Sequence, residues 1–265
     1  MQIKIGSTLF LGGNSKYQIQ PSISGLDSPA IRIGDGLYAG RDGGFVSGHF
    51  YGHRTIVIKG FYIGDDCDEA DELRKNLIGF MRIRYKLPLS IQDFSGNNYF
   101  TEGYISNIKA EIEKPTSGVY QLTFICPDPI IYDAGEGGTE AEIWHESTLT
   151  VNGNTTVKNE GNVDAWPIIT IKGVFDGIEV INSTTMKTLQ IDVQTSDADD
   201  EVLINMEKRI ITLNGTSINE LRTLPSEWWY LLQGDNDIVL NLGEDSGVPL
   251  SAEAKIKYKK GFAGI

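Results

Sequence analysis

The sequence is poor in the residues from which disulfide frameworks and metal sites are built. Its 265 residues include two cysteines, Cys67 and Cys126, and three histidines. Two cysteines cannot form the disulfide framework that holds small secreted domains together. A chain of this length does not need one, because it can bury a sizeable core. We therefore expect both cysteines to be buried free thiols.

Long apolar runs are also missing. No segment approaches the roughly 20 consecutive apolar residues that a membrane-spanning helix needs. The first residues lack the apolar core of a secretory signal peptide. The sequence thus predicts a protein that is made in the cytoplasm and has no membrane partner.

Sequence motifs for catalysis, phosphate binding and metal binding are absent or wrongly spaced. The glycines at 34, 36 and 40 do not match the dinucleotide-binding spacing, and neither a P-loop nor a Gly-x-Ser-x-Gly motif occurs. His49 and His53 lack a third metal ligand nearby. The acidic runs 65–68 and 197–201 lack the spacing of a calcium loop, so they favour a helix N-terminus and a solvated turn. We expect no catalytic residue, no metal and no cofactor, and hence a protein that is not an enzyme.

The net charge of −13 is unevenly distributed. Residues 1–133 contain 13 Lys/Arg and 15 Asp/Glu, whereas the remaining 132 residues contain 10 and 21. Such an acidic second half repels phosphate backbones. This balance predicts no specific nucleic-acid binding, and it suits a soluble surface or a channel wall to which passing nucleic acid must not stick.

The first half of the chain combines a glycine-rich start with a regular β pattern. Turn-forming glycines punctuate the first fifty residues, which is typical of hairpins and projecting arms. One amphipathic helix is predicted after the acidic run, with Ala70, Leu73, Leu77 and Phe80 or Met81 on its apolar face. Strands are predicted at 17–19, 30–33, 54–61, 87–91, 99–112 and 119–126.

The second half is typical of a β-sandwich. Glycine and charge replace the apolar periodicity at 134–140, which predicts a linker between a first domain at 1–133 and a second domain at 141–265. Short strands then recur at roughly ten-residue spacing. They are predicted at 148–151, 166–171, 177–181, 188–193, 202–205, 209–213, 237–242 and 254–258. The aromatic run at 228–230 favours a turn that packs into the core over a sugar-binding face.

Taken in order, these elements resemble the distal tail protein family of siphophages that infect Gram-positive bacteria. In the first half, the resemblance rests on the amphipathic helix and on GLDSP at 25–29, GRDGG at 40–44, RTIVIKG at 54–60 and CPDP at 126–129. In the second half, it rests on NEGNVDAWPII at 159–169, VIN at 180–182 and WWYLLQGDN at 228–236. The succession of motifs covers nearly the whole chain.

The resemblance implies a mainly β fold and a place in the phage tail. The first domain would be a β-sandwich or barrel-like ring domain with one α-helix and an extended arm. The second would be a galectin-like or carbohydrate-module-like β-sandwich. Six copies would close into a homo-hexameric ring in the virion of a phage or prophage. The ring would join the tail tube protein to the tail-associated hub or fibre protein, with receptor-binding baseplate proteins as further partners and DNA passing through its centre.

The glycine-punctuated stretch 27–44 and the strand that follows it are expected to contact a neighbouring copy, because a ribbon of this composition buries little of itself. The candidate interface residues are Asp27, Ser28, Pro29, Arg32, Arg41, Asp42 and Arg54.

Two alternatives stay open at the level of the sequence. The first is a carbohydrate-binding module that assists attachment to the host cell wall, with Trp228 and Trp229 as candidate glycan contacts. The second is a glycan hydrolase, for which abundant acidic residues are the sole support, because any acidic pair is easily found among 36 Asp and Glu residues.

Overall fold

The computed structural model of the chain describes residues 1–20, 23–80, 84–243 and 250–265. It divides into two compact units. The first comprises residues Met1–Ile143 together with Phe262–Ile265, and the second comprises Trp144–Gly261. The mainly β fold class predicted from the sequence is confirmed.

The first unit is built around an antiparallel, barrel-like sheet that is nearly closed. Seven of its strands follow the order β2-β1-β7-β8-β9-β6-β3, and β10 pairs with β8. The elements of the first half are β1 (Gln2–Ile5), β2 (Leu9–Gly12), β3 (Tyr17–Ile19), β4 (Ile31–Leu37), β5 (Gly44–Tyr51), β6 (Arg54–Ile63), α1 (Cys67–Gly79), β7 (Leu87–Gln92), β8 (Asn98–Lys114), β9 (Ser117–Cys126), β10 (Ile131–Asp133) and a 3-10 helix at Glu140–Ile143.

Alternation of apolar and polar residues explains the barrel strands. In β6, Ile56, Ile58, Gly60 and Tyr62 are buried, whereas the residues that alternate with them are exposed or half-buried. Because successive side chains in a strand point to opposite faces, this pattern buries one face in the core. The neighbouring strand β9 buries Tyr120, Leu122 and Phe124 in the same way, and these side chains join one apolar cluster.

The helix begins where its sequence predicts. Asp66 is its N-cap, and its carboxylate accepts a hydrogen bond of 2.8 Å from the backbone N–H of Glu69. Ala70 and Leu77 are buried, as expected for an amphipathic helix that covers a sheet. Arg74 fixes the helix to β8, because its Nε donates to the carbonyl of Ala110 at 3.1 Å. Met81, the alternative end of the predicted apolar face, lies outside the described residues.

The strands β4 and β5 form a sheet of their own, hereafter the arm. They pair antiparallel with each other, and among the described residues neither pairs with any other strand. The extended hairpin arm predicted from the glycine-rich start is therefore confirmed.

The second unit is a two-sheet β-sandwich. One sheet has the order β11-β20-β13-β16-β17-β18 and the other the order β12-β19-β14-β15. Apolar side chains from both sheets form one core. The elements are β11 (Trp144–Leu149), β12 (Gly153–Asn159), β13 (Ile168–Val174), β14 (Asp176–Asn182), β15 (Lys187–Gln194), β16 (Glu201–Asn205), β17 (Ile210–Leu213), β18 (Thr216–Ser217), a 3-10 helix at Asn219–Leu221, β19 (Gly234–Gly243) and β20 (Ser251–Lys259). The last strand, β21 (Gly261–Phe262), pairs with β10 in the sheet of the first unit.

Seven of the described strands have no counterpart among the strands predicted from the sequence, namely β1, β2, β5, β10, β12, β18 and β21. β1 and β2 have four residues each, too few to show a period against the surrounding glycines. β12 begins at Gly153, inside a segment whose Asn152-Gly153-Asn154 sequence predicts a turn. Asn152 does adopt the left-handed conformation of a turn, at φ 52°, but the chain becomes extended at the next residue.

The segment predicted as a linker, 134–140, is held on the first unit. Ala134 is fully buried and packs in a small cluster with Phe100 and Ile143. The Ser90 hydroxyl donates to the carbonyl of Gly138, and the Asn98 amide donates to the carbonyls of Gly135 and Glu136. The division into units accordingly falls after Ile143. The prediction of a linker rested on glycine and charge in the local sequence, which holds no trace of these tertiary hydrogen bonds.

The two cysteines are free, as expected, but their environments differ. Cys126 is fully buried in the barrel core, as predicted. Burial raises the pKa of its thiol to about 11. The prediction that Cys67 is also buried was wrong, because this residue lies at the exposed start of α1. The first turn of a helix that lies on a barrel faces solvent on one side, whatever residue occupies it.

This difference predicts selective thiol labelling. A thiol-specific reagent at mildly alkaline pH should modify Cys67 rapidly in the folded protein, whereas Cys126 should react after denaturation, because a buried neutral thiol is a poor nucleophile. The number of thiols that react before and after addition of denaturant gives the measurement. The variant Cys67→Ser is the control and should show no rapid reaction. Fast labelling of Cys126 in the folded chain would contradict the closed barrel core.

Candidate assembly surface

The arm exposes an unusual amount of apolar surface. Eight large apolar side chains between residues 31 and 51 are exposed, and Leu37 reaches 89%. A two-stranded ribbon has no second layer to cover either of its faces, so these side chains meet solvent in a single chain. Contiguous exposed apolar surface of this kind marks an interaction site. The eight are Ile31, Ile33, Leu37, Tyr38, Phe45, Val46, Phe50 and Tyr51.

The strand register gathers most of these side chains on one face. Side chains alternate between faces along a strand, so β4 presents Ile31, Ile33 and Leu37 on the same side. On the same face of the arm, β5 carries Tyr51, which pairs with Ile31, and Val46, which pairs with Asp35. These five apolar residues are hereafter the apolar arm face. The other face carries Arg32, several glycines and two of the exposed aromatic residues, Phe45 and Phe50.

At the tip of the arm, a guanidinium group stacks on an aromatic ring, which in turn contacts a second aromatic ring. The guanidinium carbon of Arg41 lies 3.9 Å from the centre of the Tyr38 ring, and Tyr38 also contacts Phe45. The backbone N–H of Tyr38 donates to the carbonyl of Gly43 at 3.2 Å. Arg41 thus shapes the turn, and Asp42 beside it is exposed.

The base of the arm is fixed by Arg54, the first residue of β6. Its side chain is 1% exposed, and its guanidinium donates to four backbone carbonyls. Nε donates to Pro129 at 2.7 Å, Nη1 to Gly25 at 2.7 Å and Asp27 at 2.6 Å, and Nη2 to Ala263 at 2.6 Å. One side chain therefore joins the segment that enters the arm, the end of the barrel strands and residues near the end of the chain.

The charge of Arg54 is stabilised by these carbonyl dipoles and by acidic residues nearby. Burial lowers the pKa of the guanidinium, and the charges of Asp27 and Asp128 act in the opposite direction. An arginine stays protonated at neutral pH in either case. A buried charge is tolerated when hydrogen bonds replace those to water, and Arg54 meets this condition.

Two further features hold the base of the arm in place. The backbone N–H of Ile265 donates to the carbonyl of Leu26 at 2.9 Å. Gly25 has φ +90°, a conformation that favours glycine, and a side chain here would collide with the carbonyl of Thr55. The entry to the arm is thus held from several sides, which gives the arm a defined point of departure.

The predicted interface residues fall into two groups. Ser28, Pro29, Arg32 and Arg54 line a cavity of about 330 Å³ at the base of the arm, and Asp27 adjoins it through its bond to Arg54. Arg41 and Asp42 lie at the tip. Arg54 supports the arm from inside the unit and has almost no exposed surface of its own.

Sequence reasoning missed the five residues of the apolar arm face. The signal was present, because Ile31, Ile33 and Leu37 are spaced by even numbers in a segment otherwise rich in turn formers. His53 was considered as a metal ligand and instead lines the cavity at the base. Among the described residues, no group of three or more His, Cys, Asp or Glu side chains could hold a metal ion.

The tryptophans proposed as glycan contacts have unequal environments. Trp229 is fully buried in the sandwich core, as the core-packing interpretation predicts, so its ring has no face for a sugar. Trp228 is half-buried, and the guanidinium carbon of Arg222 lies 5.7 Å from the centre of its ring. Neither position forms an open aromatic platform.

Comparisons with known proteins agree with the resemblance drawn from the motifs. Residues 160–262 match the family model described as siphovirus-type tail component, C-terminal domain. The distal tail protein of Bacillus phage SPP1 is 25% identical over 226 residues, which cover 80% of this chain and 81% of that protein. The crystal structure of the SPP1 Dit protein, presented as a paradigm of the hub adsorption apparatus in Gram-positive infecting phages, superposes with a TM-score of 0.67. That match covers 92% of this chain and 93% of the other at 17% identity, and it establishes the fold.

Replacing Arg54 tests whether it holds the base of the arm. We expect Arg54→Met to lower the free energy of unfolding by about 3 kcal/mol, because it leaves up to four buried carbonyls without a donor. Denaturant unfolding followed by fluorescence gives the measurement. The matched control, Arg32→Met on the exposed face of the arm, should change stability by less than about 0.5 kcal/mol. Equal stability of the two variants would show that the carbonyl contacts of Arg54 are dispensable.

Proposed function

We propose that this chain is a distal tail protein of a siphophage and that it forms a homo-hexameric ring at the end of the phage tail. The match of residues 160–262 to the siphovirus-type tail component model and the likeness to the distal tail protein of Bacillus phage SPP1 support this proposal. Its role is structural and belongs to the distal tail and baseplate. The ring joins the tail tube protein to the tail-associated hub or fibre protein, and it lets DNA pass through its centre. Receptor-binding baseplate proteins are further candidate partners.

The observation that carries this proposal is the apolar arm face. Its side chains are exposed in a single chain, so their burial needs another molecule. A second copy of the chain is the natural molecule to cover the apolar arm face, because in a ring of identical subunits every arm meets the same surface of its neighbour. Such an interface is heterologous. The ring closes when the rotation that relates one subunit to the next divides a full turn evenly. The arm then both covers its own apolar residues and determines where the neighbour sits.

Anchoring at the base supports the same role. A two-stranded hairpin is marginally stable by itself, and an arm that moved freely would lose much of its binding free energy on being ordered. The hydrogen bonds of Arg54 and Ile265 fix the point at which the arm leaves the barrel. The arm is therefore preorganised to reach a neighbour in one direction.

The charge balance supports passage of DNA without binding to it. The chain carries 36 acidic and 23 basic residues, so its net field repels a polyanion. A wall that released DNA slowly would delay its transfer. The relatives identified by comparison are tail components, which points to a structural virion protein located in the phage tail and not to an enzyme. Among the described residues, no helix has both the length and the apolar character needed to span a membrane.

Charge placed on the apolar arm face should block assembly. We expect Ile33→Asp combined with Leu37→Asp to reduce the oligomer to single chains of 29.2 kDa, because a buried unpaired carboxylate costs several kcal/mol. Light scattering after size exclusion gives the mass, which should be six times that of one chain for the unaltered protein. If the isolated protein requires its tail partners, the same comparison is made after the tail tube protein is added.

The matched control introduces charge at equally exposed apolar residues elsewhere. Met186 and Leu224 are 85% and 84% exposed in the second unit. Met186→Asp combined with Leu224→Asp should leave the hexamer unchanged. A hexamer that survives the arm variant, or an unaltered protein that remains a single chain with its tail partners present, would refute the proposed ring.

A further inference from the structure

The outer face of the smaller sandwich sheet carries a row of three polar side chains on adjacent strands. Glu179 on β14 stands directly opposite Gln190 on β15 and Asn241 on β19. The Gln190 amide donates to Glu179 Oε1 at 2.7 Å, and the Asn241 amide donates to Glu179 Oε2 at 2.8 Å. Because cross-strand neighbours lie on the same face, the three groups form one continuous hydrogen-bonded row.

A depression adjoins this row because the next positions have no side chains. Gly177 lies two residues before Glu179, at the irregular start of β14, and Gly243 lies two residues after Asn241 at the end of β19. A side chain at Gly243 would collide with the carbonyl of Asp176, so the position stays open for a steric reason. The result is an open groove of about 480 Å³, with Asp192 and Thr223 on its side.

One wall of the groove is a segment that runs beside the edge strand. The backbone N–H of Thr223 donates to the carbonyl of Gln190 at 3.0 Å, and the Ser226 hydroxyl accepts from the N–H of Gln190 at 2.9 Å. These bonds cover the free edge of β15. The groove is thus bounded by backbone that the sheet holds in place.

We infer that this groove is a binding site for a neutral saccharide, with the row Gln190–Glu179–Asn241 as its recognition surface. Each amide keeps one N–H and its carbonyl oxygen free beyond its bond to Glu179, and the carboxylate has lone pairs left. The row therefore offers donors and acceptors side by side. A sugar hydroxyl is both donor and acceptor, so adjacent hydroxyls of one ring can pair with this surface.

The charge and lining of the groove argue against other ligands. Glu179 and Asp192 place two carboxylates in it, and residues 144–261 contain 18 Asp/Glu and 10 Lys/Arg, so phosphates and nucleic acids are repelled. Ile178, Ile191 and Leu242 line its floor, but they are buried and point into the core. Among the described residues, no acidic or histidine cluster suits a metal ion.

The carboxylate is preorganised for this role. Its hydrogen bonds from Asn241 and Gln190 lower the pKa of Glu179, so it is ionised at neutral pH. Its position is fixed before a ligand arrives, which reduces the entropy lost on binding. The groove is open, and no aromatic ring from the described part of the chain lines it, so a single site should bind a sugar in the millimolar range. Repetition of the site in the proposed ring would raise the avidity, although the site itself does not depend on the ring.

The test is a titration of isotope-labelled protein with single sugars, followed by amide NMR shifts. Glucose, galactose and N-acetylglucosamine are the probes, and a short oligolysine is the probe for a cationic peptide partner. At least one sugar should shift the amides around Gly177, Gln190 and Gly243. Asn241→Ala and Glu179→Ala should each reduce the affinity for that sugar by about tenfold or more, because each variant loses hydrogen bonds in the row.

Two further variants separate the possible outcomes. Glu179→Gln removes the charge and keeps the shape, so a neutral sugar should retain most of its affinity, whereas a cationic ligand should lose it. Glu207→Gln, on an exposed turn outside the groove, should change nothing. Unchanged thermal unfolding of each variant shows that the sandwich is intact. The inference is overturned if no sugar shifts these amides, if sugar binding is indifferent to Asn241 and Glu179, or if oligolysine alone occupies the groove.

Discussion

The buried guanidinium of Arg54 connects three separate parts of the first unit. Its four carbonyl partners lie before the arm, after the last long barrel strand and close to the end of the chain. An arginine suits this position because its planar group donates in several directions at once and stays charged. The barrel can therefore carry a projecting arm without an additional layer of structure beneath it. Where the arm leaves the barrel is determined at this one residue.

The arm itself follows from a simple limit on two-stranded sheets. Such a ribbon has two faces and no partner layer, so apolar residues placed on it are stabilised only by another molecule. Here the register concentrates Ile31, Ile33, Leu37, Val46 and Tyr51 on one face. The likeness to known tail proteins and this geometry independently support the proposed assembly. The comparisons identify tail components, and the exposed face identifies the part of the chain that would meet a neighbour.

The second unit shows the opposite distribution. Its apolar side chains are gathered between two sheets, and its outer surface is polar and acidic. This suits a domain whose outer surface faces solvent, where solubility matters more than close packing. The row Gln190–Glu179–Asn241 is organised beyond what solubility requires, because each of its members is held by a neighbour.

The sequence alone determined features that depend on short-range rules. Alternation predicted the long strands, Asp66 and the acidic run predicted the start of the helix, and glycine spacing predicted the arm, because local geometry decides which residues are buried, capped or turned. Tertiary structure decided what depends on pairing between distant residues. It buried Arg54, exposed Cys67, ordered the segment 134–140 and brought Glu179 beside Asn241, 62 positions away. Register between distant strands arises from the packing of the whole unit, and no local pattern of residues records it.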